Sequence, residues 1–418
     1  MVVLAWKKRL SWQSKAFETC YGSTNLPPAG QKPQVGYYHG QLFATIFAVP
    51  VTLIGLKDFS GPQFPTHGCI ALLPLQHPLR FHPLFQRYVW GGSRLSNLLG
   101  KTCGPGSCAE SWEIVDHQQF QSIVQTGPEA GKSLSDLMAL SGLDLVGEDA
   151  FRAIHDERVP ASLRGRFPLL FKFLDANQNL SVQVHPDDEG AACLATPDLG
   201  KTEFWYVVHA EPGAEIYAGL REGVSHSDFQ AAVERGRVRE ILHRFQVGAG
   251  DGVFIPAGTV HAIGAGLLIA EIQQASNTTF RVYDWDRVDQ DGKPRPLHIE
   301  QAIQAIDFSA GPVTPVVQDH QQRTTGEPLV ECDKFKICRW ASGDQPASVE
   351  IGDDESFHVL MVIRGSIRLQ GAEGPDHISM GQSVLLPACL SSMQVEIAPG
   401  SEFLEIFLPQ SEPRRTIS

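Results

Sequence analysis

From residue 79 onward, apolar residues come in short runs that alternate with polar ones and stop at Gly, Pro or Asn. That is the period and punctuation of β-strands. Residues 80–92 (RFHPLFQRYVWGG) alternate, are rich in aromatics and end on a Gly-Gly turn, and 108–117 (CAESWEIVDH) reads as a strand. Residues 168–186 (PLLFKFLDANQNLSVQVHP) read as two strands joined at the Asn-rich turn 175–179. Strands continue at 202–210 and 214–220 and resume along 245–274. Helical spacing replaces this pattern at 132–145, with Ser133 as cap before Asp136, in a polar insert at 225–245, and at 298–308. A second strand-rich block fills 329–409, after a stretch at 311–328 rich in Pro, Gln and Thr. GAGDGVFIPAG in the first block shares its spacing with MGQSVLLPA in the second. This echo predicts a mainly β chain of two related antiparallel barrels with short helical inserts.

The first seventy residues do not share this pattern. Residues 1–72 carry a charge of +4, which leaves −17 of the total −13 for the remainder. The most apolar run there, 42–56, has 15 residues and an internal proline, short of the roughly 20 needed to cross a bilayer. No uninterrupted apolar core follows Lys7-Lys8-Arg9 as in a secretory signal. The expected organisation is a poorly ordered extension (1–75), a catalytic domain (76–310), a linker (311–328), a C-terminal β domain (329–410) and a tail (411–418). The net charge argues against nucleic acid or an anionic membrane as partner. The 8 cysteines include no CxxC pair, which fits a reducing cytoplasm.

The chemistry concentrates in the first block. Ser181, Gln183 and His185 are two apart on an alternating strand and so share a face. Lys201 and Glu203 share a face at the edge of the next strand, and His261 follows a Pro-x-Gly turn that would carry it back over the barrel mouth. Singly, each has a bland reading: His185 a satisfied polar side chain, Glu203 solvated, Lys201 on the surface. Together, two imidazoles, a carboxylate and an amide oxygen form a first shell for a divalent ion, with zinc the natural occupant and manganese, iron and cobalt overlapping in ligand type. Arg281, Arg287, Lys293 and Arg295 make a local cationic cluster on an acidic chain, suited to phosphate or a developing oxyanion. The competing reading pairs Arg281 with Asp284 or Glu271 as a structural bridge.

These residues carry a resemblance. Gly250, Pro256, Gly258 and His261 fit the second cupin motif, and LSVQVHP fits the metal-binding strand of the first, with Gln183 where many cupins have histidine, so the expected fold is a double cupin of two antiparallel barrel or jelly-roll domains. FHPLFQRYVWGG, ESWEI, LSVQVHPDD, GKTEFWYV, GVFIPAGTVHAI and QQASNTTFRVYDWDR occur in the order found in type I mannose-6-phosphate isomerases, which the chain resembles in their compact bacterial form. The resemblance implies one zinc ion per chain on Gln183, His185, Glu203 and His261. It makes Lys201 a substrate-contacting and catalytic residue, Arg281 the stabiliser of the transition state, and Ser181 a holder of the sugar phosphate. Trp90, Asp187 and Glu110 would shape the pocket. Larger members have an aspartate four residues before the key arginine; here that residue is Asn277, which cannot act as a base.

The implied reaction is the reversible interconversion of mannose 6-phosphate and fructose 6-phosphate by a cytoplasmic enzyme, monomer or weak homodimer, through a cis-enediol. Lys201, a histidine or a metal-bound water could serve as base. The main alternative is a catalytically silent cupin that binds a sugar phosphate. A metal-dependent dioxygenase would favour more histidines, and the cationic cluster favours a phosphorylated substrate instead.

Overall fold

A computed structural model describes residues 75–288, 292–316, 326–353, 355–371 and 374–409. The extension expected at 1–75, apart from Leu75, and the tail at 411–418 lie outside the described residues. A first antiparallel sheet runs in the order Leu84–Gln86, Glu110–Ile114, Leu169–Ala176, Leu267–Gln274, Glu203–Ala210, Gly252–Ile255. A second runs Phe280–Tyr283, Val182–Val184, His261–Ile263, Glu215–Leu220, Leu242–Gln246. The C-terminal part repeats the plan with a five-stranded third sheet (Glu327–Glu331, Lys336–Ala341, Glu402–Phe407, His358–Arg364, Ser383–Leu386) and a four-stranded fourth (Ala347–Ile351, Met393–Ile397, Ser366–Gly371, Gly374–Ser379).

The expected double barrel does not form, and the double-cupin assignment is corrected by the strand order. Among the described residues no sheet closes on itself; each is open at both edges. Closure would require the first and last strands of a sheet to hydrogen-bond to each other. The edge strands of the first two sheets are three to five residues long. Register shifts interrupt the pairing of Phe280–Tyr283 and of Leu242–Gln246 with their neighbours. The chain is mixed α/β, with open sheets that bury their faces by stacking.

Strand alternation decides what each face covers. Trp205 and Val207 point toward the second sheet, where Ile216, Ala218 and Ile263 meet them. Phe204 and Tyr206 point the other way, into a core shared with Ile337, Val359, Met361 and Leu404 of the third sheet. A third layer of apolar contact, including Leu360, Ile367, Val395 and Phe403, fills the space between the third and fourth sheets. Fully burying a side chain of this size contributes about 1.5–3 kcal/mol.

Helices fill the connections. Leu134–Val146 begins at Ser133, whose hydroxyl accepts from Asp136 N while Asp136 accepts from Ser133 N, the expected capping box. The insert at 225–245 is helical only as far as Ile241. His226–Glu234 and Val238–Ile241 are helices, but Leu242–Gln246 pairs with Glu215–Leu220 as an edge strand. Glu148–Ile154 and Asp188–Ala192 are further helices. No helix of the described residues is long and apolar enough to cross a membrane.

Candidate metal centre and active site

Three strand ends converge between the first and second sheets. His185 directly follows Val182–Val184, while Glu203 opens Glu203–Ala210 and His261 opens His261–Ile263. One donor atom from each lies within 4.8 Å of the others, and all three side chains are at most 1% exposed. The Pro-x-Gly turn brings His261 there. Thr259 N donates to Pro256 O, Gly258 takes φ +87°, and Gly258 N donates to His185 O at 2.8 Å, tying the turn to the other histidine. Gln183 stands opposite His261 on one side and Arg281 on the other, so three strands present these side chains in one row. Ser181 Oγ donates to Gln183 Oε1 at 3.3 Å. Lys201, expected at the surface when read alone, is 5% exposed; its Nζ lies 2.7 Å from Glu203 Oε1 and 3.3 Å from His185 Nε2.

The donor set fits a divalent ion. His185 Nδ1 is 2.8 Å from Thr278 O and His261 Nδ1 is 2.9 Å from Thr259 O. A carbonyl only accepts, so both rings carry the proton on Nδ1 and turn the Nε2 lone pair inward. Burial and the nearby Lys201 ammonium hold His185 well below the usual histidine range, and burial lowers His261 too, so both rings are neutral. Burial alone would raise the Glu203 carboxyl, but the charge and hydrogen bond of Lys201 beside it hold it below the usual carboxylate range. Glu203 Oε2 is buried and receives no hydrogen bond from the described residues. Two neutral imidazoles facing an ionised, under-satisfied carboxylate are a donor set suited to a divalent cation.

Arg281 is not the structural bridge considered above. Asp284 instead receives Arg287 Nη2 and Arg295 Nε and Nη2, at 2.5–2.7 Å. Glu271 receives Lys172 Nζ and Trp205 Nε1, both at 3.1 Å. Arg281 Nη1 donates to Pro296 O at 2.9 Å, and its buried Nε has no acceptor among the described residues. Burial and the flanking Arg295 lower its proton affinity. Trp90 is buried in the core between the first two sheets and stacks on Tyr88. Asp187 is exposed and caps Asp188–Ala192 by accepting from Gly190 N. Asn277 is exposed.

Mannose-6-phosphate isomerase ManA of Bacillus subtilis is 36% identical over 321 residues, which span 76% of this chain and 96% of the relative. The chain belongs to the type I mannose-6-phosphate isomerase family. The model of the phosphomannose isomerase type I catalytic domain matches residues 79–203. A mannose-6-phosphate isomerase of Streptococcus mutans is 34% identical over 323 residues, 77% of this chain and 96% of that one. The crystal structure of the mannose 6-phosphate isomerase from Bacillus subtilis superposes with a TM-score of 0.68 at 30% identity, covering 80% of this chain and all of that one.

In this isomerase-family chain the structure adds a polar row that the residue patterns did not single out. Trp112, Lys172, Glu271 and Trp205 stand opposite one another across four strands of the first sheet. Lys172 is 4% exposed, lies over the Trp112 ring, and is 3.9 Å from Glu110 as well as 3.1 Å from Glu271. Burial would lower its proton affinity, but the two carboxylates raise it, so it remains an ammonium. The signal was present: a lysine inside LLFKFLDA and a glutamate inside LLIAEIQQ are charges in strands with every residue buried, and such charges must find each other.

Proposed function

We propose that the protein interconverts mannose 6-phosphate and fructose 6-phosphate through a cis-enediol, with one zinc ion per chain held by His185, Glu203 and His261 and completed by Gln183. The observation that carries this reading is the buried His185–Glu203–His261 cluster with Lys201 in contact with it. Zinc at such a site supplies Lewis-acid polarisation of the sugar oxygens.

The chain's own residues divide the remaining work. Lys201 Nζ touches both Glu203 and His185, and we assign it the proton transfer: as the amine it takes the proton from one of C1 and C2, and as the resulting ammonium it returns it to the other. Arg281, in register beside Gln183 and with Nε lacking an acceptor among the described residues, faces the charge that develops on the neighbouring oxygen. Ser181 and Trp90 shape the sugar-phosphate side, and Asp187 acts through the helix it caps. The exposed Asn277 takes no part in proton transfer.

The test is a coupled assay of purified protein on mannose 6-phosphate, as isolated, after chelation and after zinc is restored. Activity lost on chelation and recovered with zinc is expected. Folded, zinc-loaded protein without turnover would instead make this a sugar-phosphate-binding member of the family.

A further inference from the structure

Asp198 lies outside the metal cluster, yet its carboxylate organises the loop on which one cluster histidine depends. It is buried, and its backbone N donates to Ala191 O in Asp188–Ala192, which anchors it to that helix. Three donors converge on its Oδ2: Ser276 Oγ at 3.0 Å, Asn277 N at 3.1 Å and Thr278 Oγ1 at 2.7 Å. The other oxygen, Oδ1, accepts from Leu199 N at 2.9 Å and faces His117 Nε2 at 3.6 Å. Only a carboxylate, with two oxygens and about four lone-pair sites, takes this many donors at once. The loop so gathered ends in Thr278, whose carbonyl accepts from His185 Nδ1.

We propose that Asp198 is a positioning residue: by holding residues 276–278 it presents the Thr278 carbonyl that fixes the tautomer and ring direction of His185. Outer groups that orient a histidine in this way commonly set metal affinity by about 10- to 100-fold. Asp198 does not act on substrate directly. Together with Leu199, Gln274 and Pro168 it lines a cavity of about 680 Å³ whose lining includes none of the three cluster residues. The inference rests on the proposed metal role of His185, but its first readout needs no metal.

The experiment compares the wild type with Asp198→Ala and the near-isosteric Asp198→Asn. In metal-free, 15N-histidine-labelled full-length protein, long-range 1H–15N spectra report the His185 tautomer, assigned by loss of its signals in His185→Gln. The wild type should show the Nδ1–H form and Asp198→Ala a mixture of both tautomers. Zinc affinity, read by competition with a chromophoric chelator, should fall about 10- to 100-fold in Asp198→Ala and less in Asp198→Asn. KM for mannose 6-phosphate at saturating zinc should change by less than about threefold. An unchanged tautomer with zinc affinity within twofold of wild type overturns the proposal; if Asp198→Ala does not fold, the same two readouts on Asp198→Asn decide. A wild type that binds zinc and shows the Nδ1–H form but no isomerase activity would refute the proposed reaction and leave this role standing.

Discussion

Gln183 turns its amide nitrogen toward His261: the two Nε2 atoms are 3.3 Å apart, while Gln183 Oε1 accepts from Ser181. His261 carries its proton on Nδ1, so its Nε2 takes the amide hydrogen. To serve as a ligand, Gln183 must turn its amide end for end, which costs the His261 bond and reverses the direction of the Ser181 bond. It is therefore the weakest of the four assigned donors. Gln183→Ala should weaken zinc binding only about tenfold, the low end for loss of a metal-orienting partner. His261→Ala should lose metal and activity together. Metal analysis after dialysis against graded zinc separates the two; zinc retained at the wild-type level in either variant would remove that residue from its assigned role.

Lys201 gives the opposite separation. Its ammonium is paired with Glu203 but is not one of the cluster's donors. Lys201→Ala should lower kcat by at least about 100-fold, within the usual range for a lost acid–base group, and leave zinc content intact or raised. A variant that keeps most of its kcat would show that the proton moves by another route.

What the sequence made legible was local. Ser133 and Asp136, three apart, specify a capping box, and the spacing within LSVQVHP, GKTE and PAGTVH places each cluster donor at a strand end. What it hid was non-local. Whether a sheet closes depends on which edge strands meet, and strands of three to five residues carry no mark of that. Leu242–Gln246 continues the polar helical insert read from the sequence until pairing with Glu215–Leu220 overrides it. Asp198 sits among small and polar residues in the sequence, and its weight appears only when a loop 80 positions on folds against it.

Gly200 is a packing requirement of the site. A Cβ there would lie 2.5 Å from Asp188 N and 2.6 Å from Asp187 C, both backbone atoms. Gly200 N also donates to Asp188 Oδ1, and Lys201 N donates to Pro186 O. Backbone cannot yield as a flexible side chain does, so Gly200→Ala must push the 200–203 segment away from His185 and its following helix. Overpacking of this kind costs about 1–3 kcal/mol. We expect a lower urea midpoint and a kcat reduced at least tenfold, roughly the effect of misplacing a reacting group by an ångström or less. Wild-type kcat in this variant would show that the segment's position is not critical.

His358 makes the stability of the C-terminal sheets sensitive to pH. Its Nδ1 donates to Glu405 Oε1 at 2.8 Å, its Nε2 lies 3.6 Å from Asp353 Oδ1, and its ring stacks on Phe407. Glu405 is held from the other side by Trp340 Nε1 at 2.6 Å. Burial opposes the charged ring, but the two carboxylates prevail and push its pKa up to about 9. The folded form therefore binds the proton more tightly than the unfolded chain, whose histidine titrates near 6.5. The resulting stabilisation is complete below about pH 6.5 and is lost as pH rises through about 9, an amount on the order of 3 kcal/mol. Urea unfolding at intervals from pH 6 to pH 10 should show this decline in the wild type. His358→Gln keeps a donor for Glu405 but cannot titrate, so the decline should largely vanish from it. Parallel curves for the two proteins would mean that His358 is not the group responsible.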